Sequence, residues 1–306
     1  DLGVLSLVKE VAPEVDVHVS TQANVTNFMA AKMFYSLGAK RVVLARELSL
    51  KEIEEIKNTV PELELEVFVH GAMCMAYSGR CLLSDYLSQR ASNRGACSQS
   101  CRWKYYVVEE KRPGEFYEVE EDSHGTYIFN SKDLCALPLL PKLLKIGVDS
   151  FKIEGRVKSA YYVAVVTAVY KRALELAVNN PNEFKKELPF LLGELEKVSH
   201  RPYTAGFLTD DSEVKQHYES SSYIRDYQFL AVFDGREWLV KNRFSVGDEV
   251  EIFFPDVKVL KAKVSSIEGA EGGELKEVHP NYKVFLSFDR EVKLKEKCIL
   301  RKKKGR

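Results

Sequence analysis

Strand-like runs that each lead into a helix-patterned stretch constrain this chain more than any other feature. Asp16-Val17-His18-Val19-Ser20 alternates like a strand, and Asn24 to Leu37 follows with Val25, Phe28, Met29 and Met33 at helical spacing. Arg41 to Ala45 is the next strand. Ser49 with Glu52 three residues on forms a capping box, which predicts a helix to about Asn58. Leu65 to Val69 is a third strand. A helix is predicted over Ser131 to Ile146, a fourth strand over Ser150 to Ile153 and a long helix over Ala160 to Val178. Strands that start about every 25 residues with helices between them predict a parallel sheet with helices outside.

A doubly wound sheet and a barrel both satisfy that alternation, and the strand ends favour the barrel. They carry His18, Ser20, Thr21 and Gln22, then Arg46 and Glu47, then His70 and Cys74, then Glu154 and Arg156. In a β/α barrel these C-terminal ends converge on the face where active sites lie. Caps and solvated charges account for any one of them, but four in succession exceed what capping needs. The expected fold class is therefore α/β, the C-terminal half of a (β/α)8 TIM-like barrel, with the other half expected upstream of Asp1.

Beyond Pro181 the pattern changes. Glu183 to Val198 reads as a helix interrupted at Pro189, and Arg201 to Ser222 is polar and loop-like. From Tyr227 short alternating runs take over (Phe229 to Val232, Glu237 to Val240, Glu249 to Ile252, Val257 to Val264, Val284 to Phe288), separated by turn signals such as Asp234-Gly235. The expected division is a partial barrel over 1–200 with a cysteine-rich insertion at 71–130, a linker at 201–226, and a small all-β barrel domain at 227–306. The closing Arg301-Lys302-Lys303-Lys304-Gly305-Arg306 reads as a solvated tail, with RNA contact its less common use. Basic and acidic residues both number 45, so no global field marks a nucleic acid or a membrane as partner. No apolar run approaches a membrane span and the opening residues are no signal peptide, so a cytoplasmic location is expected.

The insertion carries the strongest chemical signal. Cys74, Cys81, Cys97, Cys101 and Cys135 are five of the chain's six cysteines, with six, fifteen, three and thirty-three residues between them. With nothing to suggest secretion, such a cluster is more often metal-binding or catalytic than disulfide-forming. Zinc sites favour two tight Cys pairs, and only Cys97 with Cys101 is tight. Wide spacing suits a cluster whose thiolates arrive from several directions. Arg80, Arg94 and Arg102 would offset thiolate charge or contact phosphate. A nucleophilic thiol and buried structural cysteines stay open, and Cys298, alone in the β domain, reads as a core residue.

Four segments resemble a known family: His70-Gly-Ala-Met-Cys-Met-Ala-Tyr-Ser-Gly-Arg-Cys81, Asn93-Arg-Gly-Ala-Cys-Ser-Gln-Ser-Cys-Arg-Trp103, Ser131-Lys-Asp-Leu-Cys135 and Phe151-Lys-Ile-Glu-Gly-Arg156. They are similar to the collagenase-like peptidase family U32, nearest its bacterial tRNA uridine 5-hydroxylation branch. The resemblance extends over nearly the whole chain, including Ser20-Thr-Gln22 and Leu44-Ala-Arg-Glu-Leu48. It implies an enzyme, an RNA hydroxylase acting on a wobble uridine of tRNA, with prephenate as hydroxyl source and a 4Fe–4S cluster held by Cys74, Cys81, Cys97 and Cys135. Cys101 is the alternative ligand.

The alternatives are a peptidase of the family's older label, hydroxylation of another substrate such as ribosomal RNA, and a non-catalytic cluster-bearing RNA-binding partner. The chain has neither a His-Glu-x-x-His motif nor a Gly-x-Ser-x-Gly elbow. Cys74 with His70 is the peptidase reading's candidate nucleophile and base. On the hydroxylase reading Arg46, Glu154, Arg156 and His70 are the expected catalytic set. Arg46 and Arg156, joined by Arg80, would grip the carboxylates of a prephenate-like molecule. Ion pairing of Arg46 with Glu47, and of Arg156 with Glu154, is the plain alternative. Trp103, Tyr105 and Tyr106 open a predicted hairpin from Trp103 to Glu121 and could stack a base, though packing is their commoner use.

Overall fold

A computed structural model describes residues 1–74, 76–103, 106–107, 117–118, 132–156, 158–209 and 223–305. They fall into two units: Asp1–Glu154 with Arg201–Ser222, and Gly155–His200 with Tyr223–Arg306. The architecture is mixed α/β. No helix among the described residues is long and apolar enough to cross a membrane.

The first unit opens with α1 (Leu2–Val11), β1 (Val17–Val19), α2 (Phe28–Ser36), β2 (Ala39–Val43), α3 (Leu50–Thr59) and β3 (Glu64–Ala72). Short α4 (Leu83–Ser88) follows, then β4 (Tyr106–Val107) paired antiparallel with β5 (Tyr117–Glu118). Trp103 is exposed ahead of them, and the remainder of the predicted hairpin lies outside the described residues. Next come β6 (Asp133–Cys135), α5 (Leu140–Ile146), β7 (Ser150–Ile153) and, after the second unit's helices, β8 (Tyr203–Thr204).

β3 organises this unit because it carries three ladders. It runs parallel to β2 (Val42↔Leu65) and to β7 (Val67↔Phe151), and antiparallel to β6 (His70↔Cys135). Leu65, Val67 and Val69 on one face of β3 are buried, and so are Phe68 and His70 on the other, as expected of a strand covered on both faces. The capping box holds: Ser49 Oγ accepts from the Glu52 amide at 3.3 Å and Glu52 returns the bond to the Ser49 amide at 2.7 Å.

Two expectations for this unit are corrected. The helix predicted from Asn24 begins at Phe28, because Asn24 adopts a left-handed conformation (φ 56°, ψ 51°) and Asn27 is the N-cap, accepting from the Ala30 amide at 2.9 Å. The helix predicted over Ser131 to Ile146 is a strand followed by a short helix. Pro138 and Pro141 lack amide donors and confine regular α-helix to the stretch from Leu140, which leaves Asp133–Cys135 extended. That strand pairs antiparallel with β3 and parallel with β8, so the sheet is not purely parallel.

The second unit pairs α6 (Ala160–Asn179) with α7 (Pro181–Leu195), Asn180 ending one helix and capping the next. Its strands are β9 (Tyr227–Phe233), β10 (Trp238–Val240), β11 (Phe244–Ser245), β12 (Glu249–Phe253), β13 (Val259–Gly269), β14 (Glu274–Leu275), β15 (Glu277–Val278), β16 (Lys283–Phe288) and β17 (Ile299–Lys303). The order β12-β17-β9-β10-β16-β13 closes through β12 with β13, giving a six-stranded, all-antiparallel barrel around Leu230, Trp238, Ile252, Val264, Ile267, Val284 and Leu300. Cys298 joins that core, and burial raises its thiol pKa.

The basic tail is corrected in part, since Lys303 and Lys304 are exposed but Arg301 is not. Residues 299–303 close the barrel, and the Arg301 side chain is fully buried. Arg301 donates to Glu194 of α7 at 2.5 Å and to Glu251 of β12 at 2.9 Å, and Lys197 reaches the same two carboxylates at 2.8 and 2.9 Å. Burial pushes the Tyr161 hydroxyl up to about 12, so it stays protonated and donates to the Lys197 carbonyl at 3.1 Å.

Candidate functional site

The C-terminal ends of β2, β3 and β7 bring the site together. Gly71 near the end of β3 has φ 116°, and a Cβ there would stand 2.7 Å from the Glu154 carbonyl oxygen. Only glycine lets the two strand ends run this close. The Glu154 amide accordingly donates to the His70 carbonyl at 2.9 Å.

Arg46, three residues past β2, is the centre of the arrangement. Its side chain is 8 % exposed and its guanidinium carbon lies 3.6 Å from the centroid of the Phe68 ring. One terminal nitrogen pairs with Glu154 Oε2, and the other stands 3.7 Å from Cys74 Sγ. Adjacent Glu47 is not its partner. Glu154 Oε1 accepts from Gln99 Nε2 at 3.3 Å, and the Gln99 amide donates to Cys97 Sγ at 3.3 Å. A continuous bonded path thus runs Cys74, Arg46, Glu154, Gln99, Cys97.

The loop from Cys74 to Cys81 is pinned over the same strand ends. Ser78 accepts from the Arg46 amide at 3.3 Å, and its own amide donates to Glu47 Oε1 at 2.5 Å. Gly79 (φ 77°) crosses so near Gln22 that an added Cβ would stand 2.7 Å from the Gln22 carbonyl carbon. Downstream, Ser84 accepts from the Ser98 amide at 2.9 Å and donates to the Arg90 carbonyl at 2.7 Å, which holds the Cys97 segment against α4. Cys81 is fixed through its carbonyl, which accepts from Ser92 Oγ.

The structure brings some predicted residues together and leaves others apart. Arg46, Glu154, Cys74 and Cys97 share the bonded path. Cys135 is buried on β6 directly opposite His70, which is 1 % exposed and tilts against the Tyr203 ring at 5.3 Å between centroids. Cys101 lies in the 3-10 turn Ser100–Arg102. Arg156 sits in an exposed turn after β7 and belongs to the second unit. Gln99 and Phe68 escaped the sequence reading. The signal for Gln99 was its place between Cys97 and Cys101; for Phe68 there was only strand alternation with His70.

All six cysteines are thiols. Among the described residues, no three His, Cys, Asp or Glu side chains converge as ligands of one metal ion. An iron–sulfur cube asks for something different, since each thiolate binds its own iron and the four need not meet at a point. Five thiols on separate loops and strands, two of them with N–H groups directed at sulfur, fit such a group by donor chemistry. Beside Cys74 opens a cavity of about 740 Å³, lined among others by Asn24, Glu47, Tyr77, Arg80 and Phe207.

A strand-end cluster of this kind on an α/β unit followed by a closed antiparallel barrel matches a described class. The model of peptidase family U32 fits residues 1–218, and that of the family's C-terminal domain fits residues 225–301; the chain belongs to this family. Across its whole length it is similar to tRNA hydroxylation protein P of Escherichia coli, 39 % identical over 355 aligned positions that cover 77 % of that protein. It is also similar to tRNA hydroxylation protein P1 of Bacillus subtilis, 36 % identical over 94 % of this chain and 70 % of that protein. A Porphyromonas gingivalis protein named collagenase is 32 % identical over 87 % of this chain and 67 % of its own.

Proposed function

We propose that this chain hydroxylates tRNA at C5 of a wobble uridine, using an iron–sulfur cluster and taking the hydroxyl group from prephenate. The observation that carries the reading is the bonded path from Cys74 through Arg46, Glu154 and Gln99 to Cys97. Proteolysis gives no reason to tie two cysteine loops together through a buried arginine; building a thiolate cluster does. The relatives named for tRNA hydroxylation support the substrate. The parallel strands β1, β2, β3 and β7 are read as half of a (β/α)8 barrel with this site on its catalytic face.

The cluster would be held by Cys74, Cys81, Cys97 and Cys135, and when bound it supplies electron transfer or an open iron position. The chain's own residues prepare that chemistry. Arg46 directs a guanidinium N–H at the Cys74 sulfur, as groups around a ligand sulfur do. One terminal nitrogen pairs with Glu154 and the guanidinium lies over the Phe68 ring, which makes Arg46 a positioning residue.

Peptide cleavage is the second reading, supported by the relative named collagenase. It would need Cys74 with His70 as its base, yet Cys74 is exposed while His70 is buried against Tyr203. The deciding experiment is mass spectrometry of tRNA from cells lacking the gene, complemented with wild type or Cys81→Ala, beside iron and sulfide counts on anaerobically purified protein. Hydroxyuridine restored by wild type alone, on a coloured iron-bearing protein, is the expected result. A colourless, iron-free protein that cleaves collagen-like peptide would reverse the ranking.

A further inference from the structure

The cavity beside Cys74 has two residues in its wall whose polar groups are each half used by the fold. Asn24 Oδ1 accepts from Arg80 Nε at 3.4 Å. A guanidinium can only donate, so this contact sets the amide's orientation and leaves Nδ2 as an uncommitted donor. Glu47 Oε1 accepts from the Ser78 amide at 2.5 Å, which leaves Oε2 as an uncommitted acceptor. Both Nδ2 and Oε2 are buried, and neither has a hydrogen-bond partner among the described residues. A fold keeps such groups at a free-energy cost, and here the donor and the acceptor belong to residues of one cavity.

The rest of the wall limits what could use them. Among the described lining residues Glu47 and Glu52 stand against a single cation, Arg80, so the cavity disfavours a dicarboxylate. Tyr77 and Phe207 are large exposed rings in the same wall, 69 % and 40 % exposed, and offer faces for stacking. A flat, neutral ligand with a donor and an acceptor side by side on one edge satisfies all of this.

We infer that Asn24 and Glu47 read the hydrogen-bonding edge of a nucleobase turned out of its strand into this cavity. The inference rests on the tRNA hydroxylation reading, under which the base is uracil. Asn24 Nδ2 then donates to O4 and Glu47 Oε2 accepts from N3–H. Because both atoms are covered, entry of the base displaces Arg80 from Asn24 and moves Tyr77; both side chains are exposed. Cytosine presents the reversed polarity at the same two positions, a donor at N4 and an acceptor at N3, so the site rejects it.

The test uses isosteric exchanges in the full chain. Asn24→Asp replaces the donor with an acceptor, keeps the contact with Arg80 and tolerates the left-handed backbone. Glu47→Gln supplies a donor in place of Oε2. Fluorescence anisotropy would compare RNA hairpins that differ only in one loop nucleotide: uridine, 3-methyluridine or cytidine. Wild type is expected to bind the uridine hairpin about tenfold tighter than the other two. Either single exchange should abolish that margin, and the double exchange should shift the preference to cytidine. Equal binding of all three hairpins by wild type, or an unchanged order in the double variant, overturns the inference. Hydroxyuridine in cellular tRNA separates the failures. If it persists while the hairpins are not distinguished, only the base-reading site is wrong. If it is absent and no hairpin binds, the functional reading falls with it.

Discussion

The two units of this chain differ in how far the fold pairs their buried polar groups, and in the second the Trp238 indole N–H alone lacks a hydrogen-bond partner among the described residues. In the second unit Arg301 is fully buried, yet it reaches Glu194, Glu251 and Tyr161, and Lys197 completes the set. In the first unit Asn24 Nδ2, Arg46 Nε and Glu47 Oε2 are buried around the cysteine loops with no hydrogen-bond partner among the described residues. Their charges differ as well. The first unit has 20 basic and 26 acidic residues, the second 25 and 19. Saturated polar contacts mark a part whose task is to hold its shape, whereas retained unsatisfied groups mark a part that completes itself with something else.

The sharpest way to break that contrast is to unsatisfy the second unit. Arg301→Met leaves Glu194 and Glu251 with Lys197 as their one remaining cation in that set, and one partner removed from a buried network costs about 3–5 kcal/mol. Urea unfolding followed by Trp238 fluorescence should show the loss, because Trp238 lies in the barrel core. A variant as stable as wild type would mean that the network contributes nothing net.

In the first unit the largest effect is expected from Gly71→Ala. Its φ of 116° and a Cβ 2.7 Å from the Glu154 carbonyl force the ends of β3 and β7 apart, at about 2–3 kcal/mol. That shift also carries Glu154 away from Arg46, so under the proposed function hydroxyuridine formation should fall by more than the folded fraction does. A parallel fall in both would restrict Gly71 to a structural role.

Arg46→Lys keeps the charge beside Glu154 but removes the second arm that reaches Cys74 and the flat stack on Phe68. A loss of about 1–2 kcal/mol is expected. If the proposed cluster is bound, the visible spectrum of the anaerobic protein should change even though the fold remains. An identical spectrum would separate Arg46 from the thiolates altogether.

How far these features were legible from residues alone depends on the range of the contact. The capping box of Ser49 and Glu52, the strand over Ser150 to Ile153 and the helix from Ala160 were readable because neighbours decide them. Cys135 was readable as a candidate ligand, but its strand was not. Three residues are too few to show a period, and β6 exists only because β3 and β8 flank it. Arg301 read as a tail residue because nothing local says that residues 299–303 close a barrel. The partner of Arg46 stands 108 residues away, so sequence proximity pointed to Glu47 instead. Asn24 and Glu47 were visible only as a residue in a predicted helix and as a strand-end charge. Their half-used state needs coordinates.

Acid should expose a smaller difference. Burial opposes ionisation of Glu66, but bonds from Lys152 and Ser150 and the nearby Arg41 outweigh it and hold the carboxyl below its usual value. A depressed folded-state pKa contributes stability that is complete above the unfolded value of about 4.3 and is lost as pH falls through the folded one. The urea midpoint of wild type should therefore drop below about pH 5, and Glu66→Gln should flatten that drop while lowering the midpoint at neutral pH. Superimposable pH profiles would remove Glu66 from the acid response.

The smallest effect on stability, and a direct use of the charge contrast, is expected from exposed barrel lysines. Lys303 and Lys304 are exposed where β17 ends, beyond the buried Arg301. Replacing both with Ala should change stability by less than about 0.5 kcal/mol, because neither is part of the core network. If the excess of basic residues in the second unit attracts the phosphates of RNA, the same exchange should weaken uridine and cytidine hairpins equally. It should also lower the slope of log affinity against log salt by about 1 for each lysine that meets a phosphate. The exchanges at Asn24 and Glu47 should do the reverse, altering the order of the hairpins and leaving the salt slope alone. A changed order with the lysine variant, or a changed slope with the Asn24 and Glu47 variants, would overturn the proposed division between a unit that reads a base and a unit that attracts phosphates.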